Sequence, residues 1–235
     1  MKSDRRVALV TAAGSGIGAG AARRLAADGW QVVLFGRSQA VETLAAQTGG
    51  HAIRGDIARP DDLARLVRET VETFGRIDGA VVSTGHTAHG DLIALTDEDW
   101  HAGLDMLLMP VVRLSRLLVP LFLKAGHGSV VAVSSFAAVE PDPDFPVSSA
   151  LRAALSSYVK LLARRYAADG IRVNSVLPGF IDSFPERDDR VARIPAGRYG
   201  RVEELAATIA FLLSDDAGYV TGQNIAVEGG LLGSL

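Results

Sequence analysis

Residues 7–18 read Val7-Ala8-Leu9-Val10-Thr11-Ala12-Ala13-Gly14-Ser15-Gly16-Ile17-Gly18. An apolar run enters a turn carrying three glycines, and the Ala-rich stretch Ala19–Ala27 follows, with Gly29 just beyond it. A continuous apolar run suits a strand covered on both faces. Glycines let a phosphate approach the backbone, and a helix start offers free N–H groups and a positive dipole end. Strand, glycine turn and helix in that order predict a dinucleotide-binding α/β fold.

The rest of the chain repeats the alternation. Apolar or β-branched runs recur at Arg6–Thr11, Gln31–Phe35, Ala52–Arg54, Gly79–Val82, Ser129–Ser134, Arg172–Val176 and Asn224–Val227. Helical patterns separate most of them. Pro60–Phe74 opens with proline and two acids, which suit a first turn. Thr96-Asp97-Glu98-Asp99 reads as a capped helix start. Val147–Ala168 and Val202–Leu213 are further helices. Alternating strands and helices imply parallel pairing. The expectation is a single Rossmann domain over residues 1–235: a doubly wound, parallel, seven-stranded sheet with helices on both faces. The longest loop, 180–201, is rich in Pro, Gly and charge and is expected to act as a substrate lid.

Composition narrows the function. Of 235 residues, 25 are glycine, about 11% against about 7% in an average protein. The chain has no cysteine, which excludes disulfides, thiolate zinc sites and a cysteine nucleophile. With 24 basic and 27 acidic residues the net charge is −3, so no general field attracts nucleic acid. The stretch Leu104–Leu123 is the most apolar, but Asp105, Arg113, Arg116, Pro110 and Pro120 argue against a membrane span. The short apolar run near Met1 does not suit a secretory signal, so a cytoplasmic location is expected. His86 and His89 with Asp91 are too sparse for a metal site, and none is expected.

A cofactor-selecting residue belongs at the end of the second strand, about 20 residues beyond the glycine turn. An acid there would take the ribose 2′-hydroxyl of NAD. The chain has Gly36-Arg37-Ser38 instead. Gly36 leaves room, Arg37 can pair with a 2′-phosphate and Ser38 can donate to it. NADP(H) is therefore favoured over NAD(H).

With these residues and those that follow, the chain resembles the short-chain dehydrogenase/reductase family over nearly its whole length, in a branch similar to 3-oxoacyl-carrier-protein reductases. Thr11 to Gly18 is similar to the family's glycine motif, with Ala12 at its first glycine. Asp56-Ile57 resembles the pair whose carboxylate contacts adenine. Ser83-Thr84-Gly85 falls in the segment after the fourth strand. Arg172-Val173-Asn174-Ser175-Val176-Leu177-Pro178-Gly179 resembles the segment after the sixth, where Pro178, Gly179 and Ile181 would face the nicotinamide. The resemblance extends the cofactor-binding set to Thr11, Ala12, Gly14, Ser15, Gly16, Ile17, Gly18, Gly36, Arg37, Ser38, Asp56, Ile57, Ser83, Thr84, Gly85, Arg152, Pro178, Gly179 and Ile181. It also implies a homotetramer or homodimer acting on a small molecule, with the helices after Thr96 and Val147 paired across a twofold interface.

The same resemblance exposes departures. The family's catalytic set is Asn, Ser, Tyr and Lys. Ser135 matches the serine. The tyrosine and lysine positions carry Ser148 and Arg152, and the asparagine position carries Leu107. Tyr158 and Tyr166 lie two or more turns farther along the helix, so neither fills in. Ser148 and Arg152, four apart in a helix, share a face. Serine is far too weak an acid to replace the phenol, and it is shorter by about 4 Å. A water can bridge that gap, and His86 and His89 are candidate proton relays. Arg152 can hold ribose hydroxyls, stabilise an oxyanion or clamp an anion. The plain structural alternatives are a helix cap for Ser148, a surface or ion-paired Arg152, and a backbone-bonding Ser135.

Three functions compete. The first is an NADP(H)-dependent oxidoreductase acting on a carbonyl or alcohol with Ser135, Ser148 and Arg152 as a non-standard set. The second is a catalytically impaired NADP(H)-binding or structural subunit. The third is a non-redox lyase or isomerase using Arg152 as an oxyanion clamp.

Overall fold

The computed structural model describes residues 4–233. Seven strands form one parallel sheet in the order β3-β2-β1-β4-β5-β6-β7. They are β1 (Val7–Val10), β2 (Gln31–Gly36), β3 (His51–Arg54), β4 (Gly79–Val82), β5 (Gly128–Val133), β6 (Ile171–Pro178) and β7 (Asn224–Val227). All seven expected strands are present, within a residue or two at most ends.

Alternation along the strands sends successive side chains to opposite faces. On one face, Val7, Leu9, Val33 and Phe35 pack under α3 (Pro60–Phe74), α5 (Met109–Ala125) and α6 (Pro146–Tyr166). On the other, Ala8, Val10, Val32 and Leu34 pack under α1 (Gly16–Ala27), α2 (Ala40–Thr48) and α8 (Val202–Leu213). Neither face of the central strands meets water, which is why they read as continuous apolar runs rather than alternating ones.

The helix starts follow local chemistry. Thr96 closes a capping box at α4 (Asp97–Leu107): its hydroxyl accepts from Asp99 N at 3.2 Å, and the Asp99 carboxylate accepts from Thr96 N at 3.0 Å. The apolar run 104–123 is divided at Leu108 between α4 and α5. By length and composition alone, residues 97–125 could cross a membrane. In this fold Val111, Leu114, Leu118 and Phe122 are buried against the sheet, and Asp105 pairs with Arg113 across the helix junction.

One of the plain structural alternatives fails here. Ser148 does not cap α6: Pro146 takes the first helical turn, Phe145 precedes it, and Ser148 lies inside the helix. Proline fits a first turn because its missing N–H would be unpaired there in any case.

Candidate active site

The order of the sheet reverses between β1 and β4, and the loops at the carboxyl ends of these strands diverge there. Such a switch point leaves a crevice for a ligand. A cavity of about 340 Å³ opens at this place.

The glycine turn lies beside it, and Ile17 of α1 reaches its lining. Ala13 N donates to Phe35 O and Thr11 N to Val81 O, so the turn is pinned to β2 and β4. The buried Thr11 hydroxyl donates to Ser83 O at 2.6 Å, tying the end of β1 to the end of β4. A Cβ on Gly18 would lie 2.4 Å from Ala12 O, so only glycine lets α1 start this close to the turn. Ala12 has φ +48°, the left-handed region, and is the only non-glycine residue described with positive φ. An alanine there carries about 1–2 kcal/mol of strain that a glycine would not. Ser15 precedes α1 without a side-chain cap bond, which leaves the N–H groups of the first turn to other acceptors. Gly14 lies close to Ser38, and Gly16 close to Ser183.

Of the residues expected from sequence to bind cofactor, the cavity brings together Ile17, Ser83, Thr84, Gly85, Arg152, Pro178, Gly179 and Ile181. A second, small cavity of about 60 Å³ lies beyond β2 and gathers Ala12, Gly36, Arg37, Asp56 and Ile57, with Gly85 lining both. Arg37 is exposed and its carbonyl accepts from Arg54, so two guanidinium groups stand at this edge. Asp56 is partly engaged, accepting from Ala58 N at 3.0 Å. Thr11, Gly14, Ser15, Gly16, Gly18 and Ser38 line neither cavity.

Ser135, Ser148 and Arg152 share the main cavity. Ser135 follows β5 and its hydroxyl accepts from Ala137 N at 3.2 Å, opening a short 3-10 turn at Phe136–Ala138. Its neighbour Ser134 has a buried hydroxyl with no hydrogen-bond partner. Arg152 is 8% exposed, so it is not a surface arginine. Its Nη1 donates to Val133 O at 2.7 Å, its Nε to Ser148 Oγ at 3.1 Å and its Nη2 to Thr84 Oγ1 at 3.3 Å. No carboxylate among the described residues pairs with it, so the ion-pair alternative also fails. Burial lowers its guanidinium to about 10, which still leaves it charged at neutral pH.

His86 and His89 also line the cavity. His86 packs edge-on against Phe184, with ring centroids 5.0 Å apart. Burial, then Arg152 and His89, push its pKa below the usual imidazole range. His89 lies 3.0 Å from Asp144 O through Nδ1. A carbonyl only accepts, so this contact assigns the proton to Nδ1.

Leu107, which the resemblance places at the asparagine position, ends α4, lines this cavity and is almost fully buried. Sequence reasoning overlooked two further parts of it. Tyr199 lines it as well, stacked on Phe180 with its hydroxyl buried and unpartnered. Arg190 comes from α7 (Asp188–Val191), a single helical turn within the 180–201 loop. That loop is closed at its base, where Gly200 N donates to Phe180 O and Asp182 N to Gly200 O, both at 2.9 Å.

Sequence comparison agrees with this architecture. Residues 11–232 match the family described as Enoyl-(Acyl carrier protein) reductase. The 3-oxoacyl-[acyl-carrier-protein] reductase of Thermotoga maritima is 34% identical over 245 residues, covering 99% of this chain and 100% of that one. The chain belongs to the short-chain dehydrogenase/reductase family. Human dehydrogenase/reductase SDR family member 4 is 36% identical, over 96% of this chain and 87% of that one. Among solved structures, L-sorbose reductase from Gluconobacter frateurii, complexed with NADPH and L-sorbose, superposes with a TM-score of 0.89 at 29% identity. It covers 100% of this chain and 99% of that one. The family is one of oxidoreductases whose members bind a nicotinamide cofactor.

Proposed function

We propose that the protein is an NADP(H)-dependent oxidoreductase that interconverts a small carbonyl compound and its alcohol, with Ser135 as the family's serine and Ser148 and Arg152 in place of its Tyr and Lys. The observation that carries this reading is Arg152. A guanidinium buried without a carboxylate is costly, and such groups concentrate at functional sites. This one is aimed across the ends of β4 and β5 by Thr84, Val133 and Ser148.

The residues fit a dinucleotide. Gly18 lets α1 start against the Ala12 carbonyl, and α1, with no side-chain cap at Ser15, offers its first N–H groups to a pyrophosphate. Arg37 and Ser38 would take a 2′-phosphate, with Gly36 leaving space, while Asp56 and Ile57 would border the adenine. Pro178, Gly179 and Ile181 would border the nicotinamide, and Arg152 its ribose. Held there, NADPH would supply the hydride for the carbonyl carbon. Ser135 and Arg152 donate to the carbonyl oxygen and stabilise the charge that develops there. Ser148 orients Arg152 and accepts from its Nε, so its own hydroxyl proton is free to point into the cavity. The proton for the oxygen comes through water or His86, since no phenol occupies position 148.

The loop 180–201 acts as the lid over this site. A cytoplasmic, oligomeric enzyme is the matching cellular form, with α4 and α6 at a twofold interface. Light scattering tests that form, and a monomer would refute it.

A second reading, an NADP(H)-binding subunit with impaired catalysis, is favoured by one observation: Leu107 places an aliphatic side chain at the cavity where a polar group would assist catalysis. Absorbance at 340 nm over a panel of ketones and alcohols decides between the two. Turnover that Ser135→Ala and Arg152→Ala both abolish establishes the first reading. Tight NADPH binding with no turnover establishes the second.

A further inference from the structure

Charge around the main cavity is one-sided. Its lining includes two guanidinium groups, Arg152 and Arg190, and no aspartate or glutamate. Arg152 is already engaged through three nitrogens at the ends of β4 and β5. Arg190 is not. Its neighbours along the loop all have acidic partners: Arg187 pairs with Asp189, Arg193 with Asp142, and Arg198 and Arg201 with Glu204. No carboxylate among the described residues pairs with Arg190.

Aromatic rings hold it instead. Its guanidinium carbon lies 4.9 Å from the centroid of Phe180 and 5.5 Å from that of Phe145. Both rings line the cavity. A guanidinium lying against rings keeps its edge donors available for a planar acceptor, and a carboxylate accepts two of them in parallel. The surrounding apolar surface strengthens such a pairing by excluding water. The same wall, with Phe136 and the stacked Tyr199, suits an apolar body.

We propose that the cavity takes a carbonyl compound, or the matching alcohol, that carries a carboxylate on an apolar body, and that Arg190 is the residue that selects it. The inference rests on the oxidoreductase reading only for the carbonyl. The carboxylate follows from the charge and packing of Arg190 alone.

The test uses a matched pair, phenylpyruvate and phenylacetone, which share the benzyl group and the ketone and differ in the carboxylate. The full-length protein is titrated calorimetrically with each, with and without saturating NADPH, and absorbance at 340 nm is followed in parallel. The wild type is expected to bind phenylpyruvate at least tenfold more tightly. Arg190→Leu should bring the two to parity, Arg190→Lys should keep part of the preference, and neither substitution should change NADPH affinity. Equal binding, tighter binding of the neutral ketone, or no binding of either overturns the proposal. So does an Arg190→Leu variant that loses NADPH affinity as steeply as phenylpyruvate affinity, because Arg190 would then serve the nucleotide. Carboxylate preference without any change at 340 nm sustains this proposal and defeats the oxidoreductase reading. Turnover of both ketones without preference does the reverse.

Discussion

Replacing Arg152 by methionine separates a functional cation from a structural one. Burial lowers its guanidinium to about 10, so folding holds the charge at a cost on the order of 3 kcal/mol. Methionine relieves that cost and fills a similar volume. Against it stands the Val133 carbonyl, which loses a donor at 2.7 Å, a penalty of about 1–3 kcal/mol. The Ser148 and Thr84 hydroxyls can turn to water in the cavity. The net change for the ligand-free protein therefore runs from none to about 2 kcal/mol of added stability. At about 2–4 °C per kcal/mol for a chain of this size, the melting temperature should stay level or rise by up to about 8 °C. Activity should move the other way, since removing a donor to a developing oxyanion costs about 10²–10³ in kcat. Calorimetry of the ligand-free protein and the 340 nm assay together give the answer. A fall in melting temperature of more than about 6 °C with activity retained would refute the reasoning and make Arg152 a structural strut.

Three further outcomes follow from the same geometry. Gly18→Ala places a Cβ 2.4 Å from Ala12 O and should weaken NADPH at least about 100-fold, roughly 2.8 kcal/mol; unchanged affinity by fluorescence titration would dissociate the turn from the pyrophosphate. Ala12→Gly removes left-handed strain of about 1–2 kcal/mol, partly offset by about 0.4–1 kcal/mol of unfolded-chain entropy. Its melting temperature should hold or rise by a few degrees, and a clear fall would contradict the strain. His86, held neutral at pH 7 by burial and by Arg152, carries a proton only below its lowered pKa. Ketone reduction relayed through it should therefore speed up only as pH falls below the ordinary imidazole range, while alcohol oxidation should favour the neutral imidazole at higher pH. Arg152→Met should shift that limb to higher pH and His86→Ala should erase it; a flat profile, identical in His86→Ala, would assign the proton to water alone.

The fold was legible because its signals are local. A continuous apolar run, a glycine turn and a helix start are each written in neighbouring residues, and Thr96 announced α4 by its own capping box. The strand-end residues that line the cavity, from Ser83 to Gly85 and Pro178 to Ile181, were legible for the same reason, since each run stands at or directly after the end of its strand in the sequence. The helix-cap alternative for Ser148 stayed open in the sequence because Pro146 and Ser148 both suit a helix start, and only the folded chain shows Pro146 in the first turn. Burial of Arg152 was not visible in its helix, because the groups that enclose it come from the end of β5 and the segment after β4, 19 and 68 residues away. The part of the cavity lined by the 180–201 loop was least legible. Arg190 appears in the sequence as one charge among many in the 180–201 loop. Only the folded chain shows that its neighbours are paired and that Phe145 and Phe180 flank it. Tyr199 was overlooked likewise, because a tyrosine far from the helix position was not expected to return to the cavity.

The measurement that tests the account most directly is a fluorescence titration of the protein with NADPH and NADH. With Arg37 and Ser38 at the end of β2 and no acid at that position, NADPH should bind at least tenfold more tightly, and Arg37→Ala should remove most of the difference. Failure to bind either nucleotide, or tighter binding of NADH, would contradict it.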